Sequence, residues 1–189
     1  MVTFNYRKTV QALNLFADLE GGKINKMKAL KLIWLSDRLH LRKYGRLITN
    51  DQYYALKNGP VASATRNILQ EDSDFASDVD MEYSKEYIRP EGYDYCTRQK
   101  PNLKVFSETD LEVLKTIYDN FGKFGHFELS NLSHEFPEWK KFKFQLESGI
   151  SSRQQIDLND FFADMPFSPF SKEEADTELT KEIFELELL

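Results

Sequence analysis

Asp37 and His40 are the residues whose types and spacing come closest to a catalytic pair in this 189-residue chain. Residues three apart on a helix share a face, so the carboxylate could orient the imidazole as a general base. Asp51 and Tyr53 follow downstream and could join them. No second acid, nucleophile or cofactor motif accompanies the pair, and any buried acid needs hydrogen-bond donors whether or not it reacts. We interpret the pair as a structural network and keep a small hydrolase as an alternative.

Cys96 is the single cysteine, and nucleophilic catalysis would require it to pair with His126 or His134. No local signature of a nucleophile surrounds it, which favours an incidental thiol. With three histidines and neither Cys-x-x-Cys nor His-Glu-x-x-His, the sequence predicts no metal site. It also contains no phosphate-cradling Gly-rich loop and no Gly-x-Ser-x-Gly elbow, so we expect no cofactor.

The helix that must position Asp37 is the most regular part of the sequence. Met27, Leu30, Trp34, Asp37 and Leu41 follow one another at intervals of three and four residues. This spacing predicts a core helix with one acid in its apolar stripe, capped by Asn25 and ended by Gly45.

Two further helices are predicted on either side of it. Apolar periodicity predicts one over about Phe4–Leu19, and Ser107-Glu-Thr-Asp110 resembles the capping box of another that ends at Gly122. Shorter helices are predicted over about Glu128–Phe136 and Trp139–Phe144.

The remaining signals indicate a minor β element and a separate C-terminal portion. Pro60 is expected in the first turn of a helix that reaches about Leu69, and residues 71–78 are expected to form a polar loop. Period-two alternation at 81–83 and 93–95 predicts a hairpin around Pro90-Glu91-Gly92. Residues 165–170 form a stiff Pro-containing linker, and Ser171 is predicted to cap a last amphipathic helix with its apolar stripe at Ala175, Leu179, Ile183 and Leu186. The fold class is therefore mainly α, a compact helical domain with a small β-hairpin and a C-terminal amphipathic helix.

The net charge of −6 hides a division between a basic head and an acidic tail. Residues 1–70 carry 12 Lys and Arg against 4 Asp and Glu, whereas residues 156–189 carry 2 against 10. The basic residues near the second helix are Lys23, Lys26, Lys28, Lys31, Arg38, Arg42, Lys43 and Arg46. Most fall opposite the apolar stripe, so we predict a solvated face and disfavour direct nucleic-acid binding.

Composition points to a cytoplasmic protein. Hydrophobic residues make up 41% of the chain, but no apolar run approaches the roughly 18 residues that span a bilayer. The first residues lack the apolar region of a signal peptide, and a single cysteine suits a reducing compartment.

The segment Lys28–Arg46, reading KALKLIWLSDRLHLRKYGR, continues through ITNDQY to Gly59-Pro60-Val61. A Leu-x-x-x-x-His segment ending at His134 and a tryptophan at 139 follow. In this order the motifs resemble the Panacea domain of SocA-like antitoxins, a phage-associated protein family, over about residues 5–145. The resemblance is carried by Trp34, Asp37, His40, Tyr44, Gly45, Asp51, Tyr53, Gly59, Pro60, Val61, His134 and Trp139.

The resemblance implies a helical, non-enzymatic domain over residues 1–150 that neutralises a cognate protein toxin by direct binding. A proteolytic adaptor that delivers its partner for degradation is the alternative. Residues 151–189 form an acidic extension outside the matching part, and either bind the toxin or pack on their own basic head. The candidate toxin-binding residues are Phe161, Phe162, Phe167, Phe170, Glu178, Glu182 and Phe184.

Overall fold

One helix runs through the middle of the molecule in the computed structural model, which describes residues 3–71 and 76–187. This helix, α2, spans Lys26–Tyr44, and fourteen of its nineteen residues are buried. The Asn25 side chain accepts hydrogen bonds from the first turn, and Gly45 ends the helix in the left-handed conformation (φ 69°), as the sequence predicts. Because α2 is buried on nearly every side, its polar residues must find partners inside the protein.

The other helices surround α2, and the fold is mainly α, as predicted. They are α1 (Tyr6–Leu19), α3 (Ser63–Gln70), α4 (Asp78–Tyr87), α5 (Glu108–Phe121), α6 (His126–Ser133), α7 (Pro137–Lys140), α8 (Lys143–Glu147) and α9 (Thr177–Glu187). The predicted capping box of α5 is present. Short 3₁₀ turns cover Leu103–Val105, Leu158–Phe162 and Lys172–Glu174. Within the described ranges no helix combines the length and apolarity needed to cross a membrane.

Two three-stranded antiparallel sheets flank the helices. The first has the order β1-β5-β4, with β1 at Lys23–Asn25, β4 at Ile88–Glu91 and β5 at Asp94–Thr97. The second has the order β3-β2-β6, with β2 at Tyr53–Leu56, β3 at Gly59–Ala62 and β6 at Arg153–Gln155. The sequence predicts only one hairpin, because Pro60 in β3 is typical of a helix start and because β6 lies far from β2 in the sequence.

Two local predictions are wrong. Pro60 lies in strand β3, paired with Ala55, and the next helix begins only at Ser63. Because β3 is an edge strand, the sheet tolerates a residue without an N–H. Residues 81–83 belong to α4, which Ser77 caps by accepting a hydrogen bond from the Asp80 N–H, and the hairpin is made by β4 and β5 instead. Of the predicted loop over 71–78, residues 72–75 lie outside the described part of the chain.

The C-terminal segment, residues 156–187, packs against α2. Phe161 and Phe170 are fully buried, and Phe162 and Phe184 are 7% exposed. The expected stiff linker at 165–170 is therefore part of the core, closed by a hydrogen bond from the Met165 N–H to the Phe170 carbonyl (2.9 Å).

The terminal helix α9 differs from the prediction in its start and in its buried face. It begins at Thr177 rather than after Ser171. Thr180 and Phe184 face the core, because the Thr180 hydroxyl donates to the Arg42 carbonyl (2.7 Å) and the Phe184 ring contacts Phe162. The predicted stripe is exposed instead: Leu179 by 54%, Ile183 by 39% and Leu186 by 69%.

Arg42 fastens this segment to α2. Its guanidinium donates to the carbonyls of Phe162 (2.5 Å), Ala163 (2.7 Å) and Phe170 (3.2 Å) and to Oδ1 of Asp164 (2.6 Å). A planar group with several fixed donors can satisfy so many oxygens at once, whereas an ammonium cannot.

We expect Arg42→Lys to lower the free energy of unfolding by about 2–4 kcal/mol, because buried carbonyls lose their donors. Urea unfolding followed by circular dichroism measures this loss. Arg98→Lys, at an exposed arginine, is the control and should change stability by less than about 0.5 kcal/mol. Equal effects of the two substitutions would show that Arg42 does not hold the segment.

Candidate functional site

Asp37 joins α2 to the loop that leads into β2. Its Oδ1 accepts hydrogen bonds from the backbone N–H groups of Ile48 (2.7 Å) and Thr49 (3.1 Å). Its Oδ2 accepts from the hydroxyls of Tyr53 (2.6 Å) and Thr49. Burial raises the pKa of this carboxyl, and the four donors oppose that rise. Both oxygens are occupied by the protein itself.

Asp51 performs a similar task for α3. Ala62 stands at the N-cap of α3 and makes no side-chain cap hydrogen bond. Asp51 supplies that cap from outside the helix, accepting from the N–H groups of Ala64 (2.8 Å) and Thr65 (2.7 Å) and from the Thr65 hydroxyl (2.7 Å). The Asp51 carboxylate is thus a structural cap, which agrees with its place in the motif.

His40 turns towards α5 rather than towards Asp37. Its Nδ1 lies 2.8 Å from the Arg46 carbonyl and must donate to it, which leaves Nε2 facing Asp110 (3.2 Å) and Thr109. Burial would raise the pKa of Asp110, but hydrogen bonds from His40, Lys8 and the Ser107 N–H outweigh it and hold that pKa well below its usual range.

The motif residues near the end of α6 close the far side of the second sheet. The rings of His134 and Trp139 stack with centroids 3.8 Å apart, and the indole N–H of Trp139 donates to the Leu56 carbonyl (2.7 Å). Gly59 has a positive φ (97°), and a Cβ there would collide with Ser133 and with the ammonium of Lys31. Only glycine fits at this crossing of β3, α2 and α6.

Four of the eight basic residues near α2 are buried, which corrects the predicted solvated face. Lys28, Lys31, Arg38 and Arg42 are at most 8% exposed. Lys31, Arg38 and Arg42 lie on one stripe of α2, at intervals of seven and then four residues. A solvated face would show the same spacing. Apolar residues on both sides of that stripe are the signal that could have revealed their burial.

Each buried cation except Lys31 has a carboxylate partner among the described residues. Lys28 pairs with Glu20 (2.6 Å) and Arg42 with Asp164 (2.6 Å). Arg38 pairs with the buried Glu138 (2.9 Å), and its guanidinium lies over the Phe136 and Phe170 rings.

The residues that could have formed a catalytic site are not assembled into one. Asp37 and His40 bond to different elements, as described above. Cys96 lies in β5, and its thiol donates a hydrogen bond to Glu91 (3.2 Å). Burial is the larger cause of the raised pKa of this thiol, and the hydrogen bond to Glu91 is the second cause. In the described ranges no group of three or more His, Cys, Asp and Glu is placed to hold a metal ion.

Of the candidate toxin-binding residues, only two are fully on the surface. Glu178 and Glu182 are exposed on α9, and Phe167 is half-buried against Phe136 and Phe170. The rings of Phe161, Phe162, Phe170 and Phe184 lie inside the core in this fold. The exposed part of the acidic segment is instead the outward face of α9, which we define as Glu178, Leu179, Glu182, Ile183 and Leu186.

These observations describe a helical domain whose shared motif residues hold one element to another. A model of the family antitoxin SocA-like, Panacea domain matches residues 30–140, more than half of the chain. The chain therefore belongs to that family. The match contains all twelve motif residues and stops before the C-terminal segment. Searches of curated proteins and of solved structures returned no match.

We expect Asp37→Asn to lower the free energy of unfolding by about 1–3 kcal/mol, because an amide nitrogen cannot accept the hydrogen bonds that one oxygen now accepts. Chemical denaturation at neutral pH measures the change. Asp119→Asn, at an exposed carboxylate, should alter stability by less than about 0.5 kcal/mol. Full stability in Asp37→Asn would contradict a structural role.

Asp110 gives a prediction for pH. Its lowered pKa means that it stabilises the fold above the unfolded-state pKa of about 3.9 and loses that contribution as pH falls towards the folded-state pKa. Asp110→Asn should therefore destabilise by about 2–4 kcal/mol at pH 7, with the deficit about 1 kcal/mol smaller at pH 3. Thermal unfolding across this range, with the exposed Glu108→Gln as control, tests it; a deficit that grows on acidification would refute the assignment.

Proposed function

We propose that this protein is an antitoxin that neutralises a cognate protein toxin by binding it directly. The observation that carries the proposal is membership of the SocA-like antitoxin family over residues 30–140. The family description implies a toxin as the partner, and the folded domain has charged and apolar surfaces on which a protein can dock.

A non-enzymatic mechanism is supported by the state of the polar motif residues. Asp37 accepts four hydrogen bonds from its own chain, and Asp51 is used as a helix cap. A carboxylate held in this way has no free lone pair directed at a substrate. Neutralisation by contact requires only a binding surface. The motif residues therefore contribute by stabilising the fold that forms this surface.

The outward face of α9 is our candidate toxin-binding surface. It carries three exposed apolar side chains between exposed glutamates, on a helix fixed to α2 by Thr180 and Phe184. Apolar anchors give affinity, and surrounding charges select a partner of opposite sign. Toxins that act on nucleic acids or nucleotides carry basic sites, and an acidic helix complements such a site.

Gly45 also supports the placement of α9. A Cβ at this position would lie only 3.0 Å from Ile183 and from the Thr180 carbonyl. The motif glycine that ends α2 therefore also makes room for α9, which links the matched domain to the segment outside the match.

Substitution of Leu179 and Leu186 by serine should weaken toxin binding at least about ten-fold, because the apolar anchors are lost. The fold should keep its melting temperature, since both side chains are already exposed. Co-purification with the product of the adjacent reading frame, followed by calorimetry and by cell survival during toxin expression, gives the measurement. Val79→Ser, at an apolar residue of α4 that is 66% exposed, is the matched control.

The same experiment separates the alternatives. Undiminished binding by the double variant would remove α9 from the interface without affecting the antitoxin proposal. Failure of the neighbouring product to bind the wild-type chain would overturn the proposal itself. A fall in toxin level on co-expression, rather than an inert complex, would favour the proteolytic adaptor. Deleting the segment is a poorer test, because it would strip Arg42 of its partners.

A further inference from the structure

A cavity of about 700 Å³ lies at the N-terminal end of α2, opposite the end that α9 covers. Its apolar lining includes Met27, Leu30, Leu56 and Val61. Tyr93 and Phe127 also line it and are 87% and 69% exposed. Large exposed aromatic side chains beside an apolar concavity are typical of binding surfaces. We call this cavity, with the four cations described next, the basic groove.

The charged residues that line the groove all have one sign. Lys26, Lys31, Lys57 and Arg66 contribute from the first half of α2, the β2–β3 turn and α3. Among the described lining residues there is no Asp or Glu. The chain as a whole is acidic, so this is a local concentration of positive charge, and it favours an anionic occupant.

Lys31 distinguishes this groove from an ordinary charged surface, because it is a buried cation without a described carboxylate partner. It is 1% exposed, yet it lines the cavity, so a nearly buried cationic side chain borders this space. Its one described hydrogen bond is to the Pro60 carbonyl (2.7 Å), and no described carboxylate lies within ion-pair distance. Burial lowers the pKa of Lys31 to about 7. A buried ammonium with one described hydrogen bond and no described carboxylate partner is costly, and an incoming anion would relieve that cost.

We propose that the basic groove binds an acidic segment of a partner protein, with a carboxylate reaching Lys31 and apolar side chains resting on Leu30 and Phe127. The rim cations Lys26, Lys57 and Arg66 then face the remaining acidic residues of the segment. The groove and the outward face of α9 are separate surfaces of opposite charge.

A peptide fits this groove better than a nucleotide does. The lining is mainly apolar, the cations come from three separate elements, and the sequence has no Gly-rich phosphate loop. Assignment of the segment to the toxin rests on the proposed function, whereas the preference of the groove for acidic apolar peptides does not.

The test is selection from a displayed library of random peptides on the full-length protein, followed by anisotropy measurements on the enriched peptides. Enriched sequences should combine Asp or Glu with Leu, Phe or Trp. Lys31→Met should weaken them at least about ten-fold, as expected for loss of a charge-assisted hydrogen bond. Lys104→Met, at an exposed lysine outside the groove, should leave binding unchanged.

Two further variants keep the result interpretable. Phe127→Ser removes a rim side chain that is already exposed, and Arg66→Glu reverses a rim charge; both should weaken the same peptides while melting as the wild type does. Enrichment of peptides without acidic residues, or equal binding to Lys31→Met, would overturn the proposal. So would ATP or inorganic pyrophosphate competing through Lys31, or a dimer in light scattering that Lys31→Met dissolves. None of these outcomes depends on the toxin. They can therefore contradict the peptide-binding proposal without affecting the antitoxin proposal, which the co-purification experiment tests.

Discussion

The fold depends on one constraint: a helix buried on nearly all sides carries charged residues, and each buried charge needs a partner from another part of the chain. Asp37 takes its donors from residues 48–53, His40 meets α5, and Arg38 pairs with Glu138 on α7. Arg42 reaches the C-terminal segment. The polar residues of α2 therefore determine where the neighbouring elements lie, and the apolar side chains fill the space between them.

Lys31 is the exception to this rule. Its ammonium stands where β3 crosses α2 and α6, yet among the residues that the structure describes it bonds to a single carbonyl. About 14 residues of helix, or roughly 21 Å, separate Lys31 from Gly45 at the other end of α2. A basic cavity and an acidic helix are thus held at the two ends of one rigid element, and the molecule presents opposite charges on separate faces.

Elements with local sequence signals are predicted correctly. Asn25, Gly45 and Ser107 mark helix ends through their own side chains or backbone, and the structure confirms all three. The second sheet is not predicted, because Pro60 in β3 is typical of a helix start and because β6 lies far from β2 in the sequence. The apolar residues on both sides of Arg38 and Arg42 indicate their burial, but their partners at 138 and 161–170 could not be predicted, because those residues are distant in sequence and have no periodic relation to α2. Likewise, the aromatic residues of the C-terminal segment carry no mark that distinguishes a core ring from an exposed one.

The long reach of Arg42 has a consequence for biosynthesis. Its carbonyl is capped by Thr180, which lies 138 residues later in the chain. At the usual 5–20 residues per second, roughly 7 to 28 s pass between the synthesis of the two residues. For most of that interval the chain lacks residues 161–170, which supply the hydrogen-bond acceptors of Arg42 and three buried phenylalanine rings. The surface of α2 can therefore be fully covered only after translation has reached the last helix.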